Sequence, residues 1–328
     1  MTKPLAVSLG DPAGIGPEVV AKAWEQRRAE GLAPFFAVGS PEAIAAVWDG
    51  PVRAASDPED AAAWFDEALP VIRIDGSGDF VPGQPTIEGA RNSFDALELA
   101  VGLTRSGAAS ALVTGPVSKA QLYAVGFTHP GQTEFVAERC GIAPEMVAMM
   151  LAGPTLRTVP VTTHVPLKDV PALVTTELIV AKGRTTIRAL TRLFGIARPR
   201  LAVAGLNPHA GESGALGREE IEIVAPAIER LREEEADVVG PLAADTMFHA
   251  RMRATYDAAL CLYHDQALVP LKTLHFDEGV NITLGLPIVR TSPDHGTAFD
   301  IAGQGRAEPS AMIAAMKMAA SCAARVAA

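Results

Sequence analysis

Three histidines stand in short polar segments where they could bind one divalent metal ion. His164, His209 and His264 each follow a run of residues typical of a buried strand. Imidazole is the commonest ligand of zinc-like ions, and three protein ligands leave one coordination position for a substrate. A lone histidine of this kind is more often structural, and the long spacings leave open whether the three converge. Their equivalent positions favour a metal site with one ion per subunit.

Side chains that suit anions cluster in the last quarter of the chain. Lys272, Asn281 and Arg290 supply an ammonium, an amide and a guanidinium group. These are the donors that carboxylate and phosphate groups require. The alternative is that some of them are ordinary polar residues of loops.

Three segments are turn-rich. GDPAGIGPE at 10–18 and TGPVSK at 114–119 each follow a predicted strand, and SPDHGT lies at 292–297. The first lacks the GxGxxG spacing and the second lacks the P-loop spacing, so neither indicates a Rossmann domain or a nucleoside triphosphate site. Each of these two is either a tight strand–helix junction or a loop that lines a ligand cleft. The third could hold a cofactor, and its candidate contacts are Ser292, Asp294 and Gly296.

The elements that must position these groups alternate along the chain. Predicted strands lie at 5–9, 35–38, 111–113, 201–204 and 258–262. Predicted helices lie at 18–26, 94–103, 178–194 and 310–328. This alternation predicts a parallel sheet with helices on both faces. Ligands of such folds bind beyond the carboxyl ends of the strands, which is where the polar clusters fall.

The composition narrows the class of protein. A chain of 328 residues is long enough for about two domains, each with its own core. Hydrophobic residues make up 48% and aromatic residues 5%, so the core must be mostly Ala, Val, Leu and Ile, as in α/β enzymes. The net charge of −10 offers no basic footprint for duplex DNA, although it does not exclude an anionic substrate.

Cysteine usage and hydropathy bear on the compartment. Cys140, Cys261 and Cys322 are far apart and form no CxxC motif, so we expect buried thiols rather than disulfides or a zinc knuckle. The apolar stretch before Gly10 is too short for a signal peptide, and no run of about 18 apolar residues exists. We therefore expect a cytoplasmic protein with neither a nucleic-acid nor a membrane partner.

Eight segments, taken in order, resemble the 4-hydroxythreonine-4-phosphate dehydrogenase family of pyridoxal phosphate biosynthesis. They are GDPAGIGPE, TGPVSK, GQTEF, THVPL, GLNPHAGE, GPLAADTMF, LYHDQALVPLK and FDEGVNITLGLPIVRTSPDHGTAFDIAG. They extend from Gly10 to Gly303, so the resemblance covers nearly the whole chain. Eight segments in order are far more specific than any one of them.

The resemblance implies a two-domain α/β/α architecture similar to isocitrate and isopropylmalate dehydrogenases, not a Rossmann domain. The first α/β domain would comprise residues 1–130 and 285–328. The second, 131–284, would carry the metal ligands and the dimer contacts. The resemblance also implies a homodimer with the active site in the interdomain cleft at the dimer interface.

Individual site residues follow from the resemblance. The implied metal ligands are His164, His209 and His264. The implied substrate contacts are Gln132, Thr133, Lys272, Asn281 and Arg290. Lys272 and Asp265 are the candidate catalytic residues. The family usually has histidine at the position of Gln132, so one substrate contact differs in this chain.

The implied reaction is the oxidation of a small phosphorylated hydroxy-amino acid, 4-phosphohydroxy-L-threonine. A zinc, cobalt or magnesium ion would bind the C3 hydroxyl and favour its deprotonation, and hydride would pass to NAD or NADP. Loss of CO₂ from the resulting β-keto acid would give 3-amino-2-oxopropyl phosphate. The alternatives are a relative that oxidises a phosphorylated sugar acid, such as 4-phospho-threonate or 4-phospho-erythronate, or an aromatic dihydrodiol dicarboxylate. A third alternative is a metabolite-binding protein without catalysis.

Overall fold

The structure, a computed structural model, describes residues 3–74, 78 and 80–327, and it divides into two compact units. Unit 1 comprises Met1–Cys140 and Pro287–Ala328, and unit 2 comprises Gly141–Leu286. The boundaries expected from the sequence were 130/131 and 284/285. Gln132 and Thr133, expected in the second domain, therefore lie in unit 1.

Unit 1 is built on a parallel sheet. Its strands are β1 (Leu5–Ser8), β2 (Phe35–Gly39), β3 (Val52–Ala55), β4 (Leu69–Arg73), β5 (Leu112–Thr114) and β12 (Arg290–Pro293). Their order is β3-β4-β2-β1-β5-β12, with every described pairing parallel. Its helices are α1 (Gly16–Glu25), α2 (Pro41–Ala45), α3 (Pro58–Trp64), α4 (Ile87–Arg105), α5 (Lys119–Tyr123), α6 (Gln132–Arg139) and α13 (Ser310–Ala327). The strands and helices predicted for this unit are confirmed.

The glycines of the first loop allow two backbones to approach closely. The Asp11 N–H donates to the Pro116 carbonyl at 3.0 Å, and the Gly115 N–H donates to the Ser8 carbonyl at 2.8 Å. A Cβ atom at Gly16 would overlap the Leu9 carbonyl oxygen. The segments after β1 and β5 are therefore packed against each other, backbone on backbone, which supports the reading of both as tight strand–helix junctions.

Replacing Gly16 by alanine is expected to destabilise the protein by about 1–3 kcal/mol, because the new methyl group meets backbone that cannot rotate away. Gly102→Ala is the matched control. Gly102 lies in α4 with open space around its Cβ position, so alanine there should stabilise by about 0.5–1 kcal/mol. Urea denaturation of the three proteins measures both changes. Equal midpoints for Gly16→Ala and the wild type would contradict the packing described.

Unit 2 contains the remaining elements. Its strands are β6 (Ala148–Ala152), β7 (Arg157–Pro160), β8 (Arg200–Ala204), β9 (Asp237–Leu242), β10 (Ala258–Cys261) and β11 (Val280–Leu284). Its α-helices are α7 (Val170–Leu173), α8 (Thr176–Phe194), α9 (Ala225–Glu233), α10 (Ala244–Met247), α11 (Ala250–Arg253) and α12 (His264–His275). Short 3₁₀ or π turns lie at Pro144–Met146, Leu167–Asp169, Pro208–Gly214 and Glu220–Val224.

The sheet of unit 2 is mixed, so the expectation of a wholly parallel sheet is wrong here. Its order is β11-β6-β7-β10-β8-β9, and β6 runs antiparallel to both β11 and β7. The physical reason is the short connection between β6 and β7, since antiparallel strands need only a turn whereas parallel strands need a crossover. The other strands, β7, β10, β8 and β9, are parallel.

Helix α12 is held on this sheet by buried side chains. Leu268 and Leu271 pack in one apolar cluster with Ala204 and Cys261, the last residues of β8 and β10. Cys261 is fully buried, which raises the pKa of its thiol, and Cys322 is also buried, as expected, whereas Cys140 is only partly buried. The packing of Leu268 and Leu271 thereby fixes the first turn of α12 at the carboxyl end of β10.

Among the described helices, none is long and apolar enough to span a membrane.

Candidate active site

The three histidines follow three neighbouring strands of unit 2. His164 comes after β7, His264 after β10 and His209 after β8. These strands are adjacent in the order β7-β10-β8 and parallel to each other. Carboxyl ends of adjacent parallel strands lie at one edge of the sheet, where ligands of α/β proteins bind.

Two of the three imidazoles lie close together. The ring centroids of His164 and His264 are 5.6 Å apart, and both rings line a cavity of about 270 Å³. The Nδ1 atom of His264 is 2.7 Å from Asp265 Oδ1. Metal-binding histidines commonly use such a carboxylate contact to orient the ring and direct the other nitrogen at the ion. This pair therefore fits a borderline divalent cation such as zinc or cobalt.

His209 stands in an unusual turn. From His209 to Ser213 every residue has a positive φ, between 44° and 76°, so the chain makes a left-handed turn. The His209 side chain is 67% exposed, and its Nδ1 is 3.7 Å from Glu212 Oε2. Within a single chain, the described residues bring together no group of three His, Cys, Asp or Glu side chains that could hold a metal ion. Of the three histidines, His164 and His264 therefore lie together, whereas His209 lies in the turn that follows β8, the next strand of the sheet.

Arg290 is a buried cation in unit 1. It is 3% exposed at the start of β12, and its Nη2 donates to Thr114 Oγ1 at 2.7 Å. Its Nη1 lies 3.5 Å from Thr133 Oγ1, at the limit of a hydrogen bond. Burial lowers the pKa of Arg290 to about 10, although the negative charge of Glu134 acts in the other direction and raises it. The guanidinium is therefore charged at neutral pH in a site with little water, where an anion would be bound strongly.

Gln132 and Asn281 each present a buried amide oxygen. Gln132 begins α6, and its Nε2 donates to the Gly115 carbonyl at 3.2 Å. Its Oε1, like Oδ1 of Asn281 in β11, has no hydrogen-bond partner among the described residues. A buried unsatisfied acceptor is costly, so such atoms commonly mark a place for a ligand or water. Lys272 is half-buried in α12, eight residues after His264.

The candidate cofactor segment follows β12. Ser292 is buried within the strand, Asp294 is half-buried and Gly296 is exposed with open space at its Cβ position. The Ile15 N–H donates to the Thr297 carbonyl at 2.9 Å, so this segment contacts the loop after β1. Ser292 thus lies at the carboxyl end of β12, and Asp294 and Gly296 lie in the loop that follows it, next to the loop after β1.

Sequence reasoning did not single out Thr114 or Glu134 as partners of Arg290. Thr114 lies in the TGPVSK motif, but only the packing of β12 beside β5 brings its hydroxyl to the Arg290 guanidinium. Two histidines outside the candidate site have ordinary partners. His129 pairs with Glu138 at 2.7 Å, and His275 contacts Thr155 Oγ1 at 2.8 Å.

Comparison with known proteins gives consistent relatives. The family described as "Pyridoxal phosphate biosynthetic protein PdxA" matches residues 32–319. A protein of Zymomonas mobilis named 4-hydroxythreonine-4-phosphate dehydrogenase is 59% identical over 98% of this chain and 96% of its own length. One of the same name from Erythrobacter litoralis is 54% identical over 98% of this chain and 97% of its own length.

Solved structures agree with these relatives. The 4-hydroxythreonine-4-phosphate dehydrogenase of Klebsiella pneumoniae has a TM-score of 0.87 and 36% identity, covering 98% of this chain and 100% of its own. A terephthalate 1,2-cis-dihydrodiol dehydrogenase of Burkholderia xenovorans LB400 has a TM-score of 0.67 and 28% identity, covering 98% of each chain. The two-domain α/β fold and the resemblance carried by the eight segments are confirmed, and the chain belongs to the PdxA family of 4-hydroxythreonine-4-phosphate dehydrogenases.

Proposed function

We propose that this chain oxidises 4-phosphohydroxy-L-threonine at the C3 hydroxyl, with NAD and a divalent metal ion, and that decarboxylation then gives 3-amino-2-oxopropyl phosphate. The reaction would belong to pyridoxine and pyridoxal 5′-phosphate biosynthesis in the cytoplasm. The observation that carries the proposal is the set of three histidines after three adjacent parallel strands, with the rings of His164 and His264 5.6 Å apart.

The proposed chemistry divides between bound groups and the chain itself. When bound, a zinc, cobalt or magnesium ion would act as a Lewis acid on the hydroxyl, and NAD or NADP would accept the hydride. The β-keto acid produced by the oxidation loses CO₂ readily, because its ketone accepts the electrons of the breaking bond. The chain's residues must therefore hold the carboxylate and phosphate and orient the C–H bond. They must also accept the proton of the hydroxyl and deliver one to C2 after the loss of CO₂.

Residues of both units have roles in this proposal. Arg290 and Thr133 would bind an anionic group of the substrate in unit 1, with Gln132 beside them. Lys272 and Asn281 of unit 2 would complete the substrate contacts. The proposed cation ligands are His164, His209 and His264, and the proposed cofactor contacts are Ser292, Asp294 and Gly296.

The two candidate catalytic side chains, Lys272 and Asp265, have different proposed roles. Lys272 is proposed to move a proton directly, as an amine near the reacting hydroxyl. Asp265 would act through His264, since its Oδ1 lies 2.7 Å from the Nδ1 of that ring. The carboxylate thereby fixes which nitrogen of His264 is available to a cation.

The assay that tests the function is NADH formation from 4-phosphohydroxy-L-threonine, with and without a chelator. We expect turnover that a chelator abolishes and that added zinc or cobalt restores. The panel should include 4-phospho-threonate, 4-phospho-erythronate and an aromatic dihydrodiol dicarboxylate, because a relative at 28% identity is named for a dihydrodiol. Preference for one of these would assign the alternative reaction. Tight binding without NADH would indicate a metabolite-binding protein.

A homodimer with a site shared between subunits is part of the proposal. Three apolar residues that follow His164 in the chain are exposed: Leu167 at 69%, Leu173 at 43% and Val165 at 37%. An exposed apolar patch of this kind is common at protein interfaces. We expect sedimentation to show a dimer and specific activity to fall as dilution dissociates it. Full activity of a monomer would contradict the shared site.

Gln132→His is expected to add a pH-dependent term to kcat/KM. Glutamine is uncharged at every pH, whereas an imidazole is cationic below its pKa, which is roughly 6.5 if unperturbed. The variant should therefore gain kcat/KM for the anionic substrate as pH falls through that range. Profiles of the variant and the wild type are compared from mildly acid to mildly alkaline pH. Superimposable profiles with equal KM would show that position 132 does not sense the substrate's charge.

A further inference from the structure

Buried hydrogen bonds join the strand ends that carry the three histidines. Thr162, two residues before His164, is 6% exposed and donates through Oγ1 to the Leu262 carbonyl at 2.8 Å. Gln266, two residues after His264, is 7% exposed; its Oε1 accepts from the Leu262 N–H at 2.7 Å. Its Nε2 donates to the Gly205 carbonyl at 2.8 Å. The ends of β7, β10 and β8 are thus tied together beneath the histidines.

Glu220 continues this network toward His209. Its side chain is buried, with 3% of the residue exposed, although carboxylates are rarely buried without partners. Its Oε1 accepts from the N–H groups of Leu206 and Asn207 at 2.8 and 2.7 Å, and its Oε2 accepts from Asn207 Nδ2 at 3.0 Å. All three donors belong to the segment directly before the turn that carries His209. Glu220 stands in a π turn, a feature common near functional sites.

The turn held by these bonds is intrinsically unfavourable. Among its residues from His209 to Ser213, only Gly211 tolerates a positive φ without steric cost. The absence of a side chain at Gly211 also makes room for Glu220, because a Cβ there would overlap Glu220 Oε2. Backbone of this kind persists only where surrounding contacts over-determine it, and such places cluster at functional sites.

We propose that Glu220 is the positioning residue of His209: it holds the left-handed turn that carries this imidazole and so fixes where His209 can act as a metal ligand. The inference rests on the proposed function, since it requires His209 to bind the cation. Glu220 touches neither substrate nor metal in this account. It acts by accepting hydrogen bonds from the N–H groups of Leu206 and Asn207. Without these bonds the backbone at the two residues would be free to adopt another conformation.

Cobalt(II) titration of the full-length apoprotein tests the inference, because visible absorption reports the coordination geometry independently of turnover. Glu220→Ala removes all three hydrogen bonds and should weaken cobalt binding by 10- to 100-fold, the range typical of residues that orient ligands. Glu220→Gln keeps one accepting oxygen, but its NH₂ group would face the Nδ2 of Asn207, which is also a donor. We expect it to bind cobalt roughly tenfold more weakly than the wild type, with an altered spectrum.

Glu222→Gln is the matched control. Glu222 lies in the same π turn, but it is exposed and pairs only with Arg218 among the described ion pairs, so its variant should bind cobalt as the wild type does. Circular dichroism checks that each variant is folded. If Glu220→Ala is unfolded, the cobalt titration of Glu220→Gln is the deciding measurement. Wild-type affinity and spectrum in the folded Glu220 variants would overturn this inference alone. A wild-type protein that binds no cobalt and turns over without metal would instead overturn the proposed metal site and this inference with it.

Discussion

Replacing His264 by alanine is expected to lower kcat on the order of 1,000-fold, or about 4 kcal/mol of transition-state stabilisation, while the protein stays folded. The imidazole is 5.6 Å from that of His164, centroid to centroid, and Asp265 holds it through Nδ1. Its side chain is one-third exposed at the first position of α12, so alanine there leaves little cavity and does not disturb the apolar cluster below. The loss should therefore appear in metal content and kcat rather than in stability.

His249→Ala is the matched control for His264→Ala. His249 precedes α11 and has no proposed ligand role, so its variant should keep wild-type activity and metal content. His164→Ala and His209→Ala should behave as His264→Ala does. Metal analysis of the purified variants and steady-state kinetics with added zinc measure these effects. Full activity of a metal-free His264→Ala protein would show that the three histidines are not a catalytic metal site.

Much of the fold follows from local physics. Strands β1, β2, β5, β8 and β10 are buried on both faces, so they read as continuous apolar runs, and their positions were predicted correctly. Strand β3 is largely exposed and β9 ends in a Gly-Pro-Leu sequence, so neither carries this signal. The antiparallel direction of β6 was not predicted either, because neither β6 nor β7 was among the strands predicted from the sequence, and strand direction follows from the connection between two known strands.

The site was predictable in its residue types but not in its supporting contacts. A histidine after a strand is visible in the sequence, and parallel packing brings such positions to one edge of the sheet. The roles of Glu220 and Thr114 are not visible, since each depends on a partner brought near only by the fold. The left-handed turn at 209–213 runs against the preference of four of its residues, so local propensity predicts a different backbone.

Arg290→Lys is expected to reduce kcat/KM by roughly 100-fold at neutral pH, or about 2.7 kcal/mol. Two physical effects act in the same direction. Lysine cannot reproduce the paired parallel hydrogen bonds of a guanidinium with a phosphate or carboxylate. Arg290 also donates to Thr114 at 2.7 Å, and an ammonium group on a differently shaped stem would not keep that contact in place.

Burial makes the Arg290→Lys change sensitive to pH. Lysine has a lower ordinary pKa than arginine. The same desolvation that lowers the pKa of Arg290 to about 10 would therefore bring the pKa of a lysine there toward the neutral range. The lysine variant should lose kcat/KM as pH rises, because its cation deprotonates, whereas the wild type stays charged up to about pH 10. Arg218→Lys, at an exposed ion pair with Glu222, should show neither effect.

The measurement that separates binding from structure is kcat/KM against pH together with unfolding midpoints for the three proteins. A purely structural Arg290 predicts lower stability in the lysine variant with unchanged KM for 4-phosphohydroxy-L-threonine. A direct anion contact predicts a raised KM that grows with pH, and weaker inhibition by inorganic phosphate. A lysine variant that retains the wild-type KM at every pH would therefore exclude Arg290 as a ligand of the substrate.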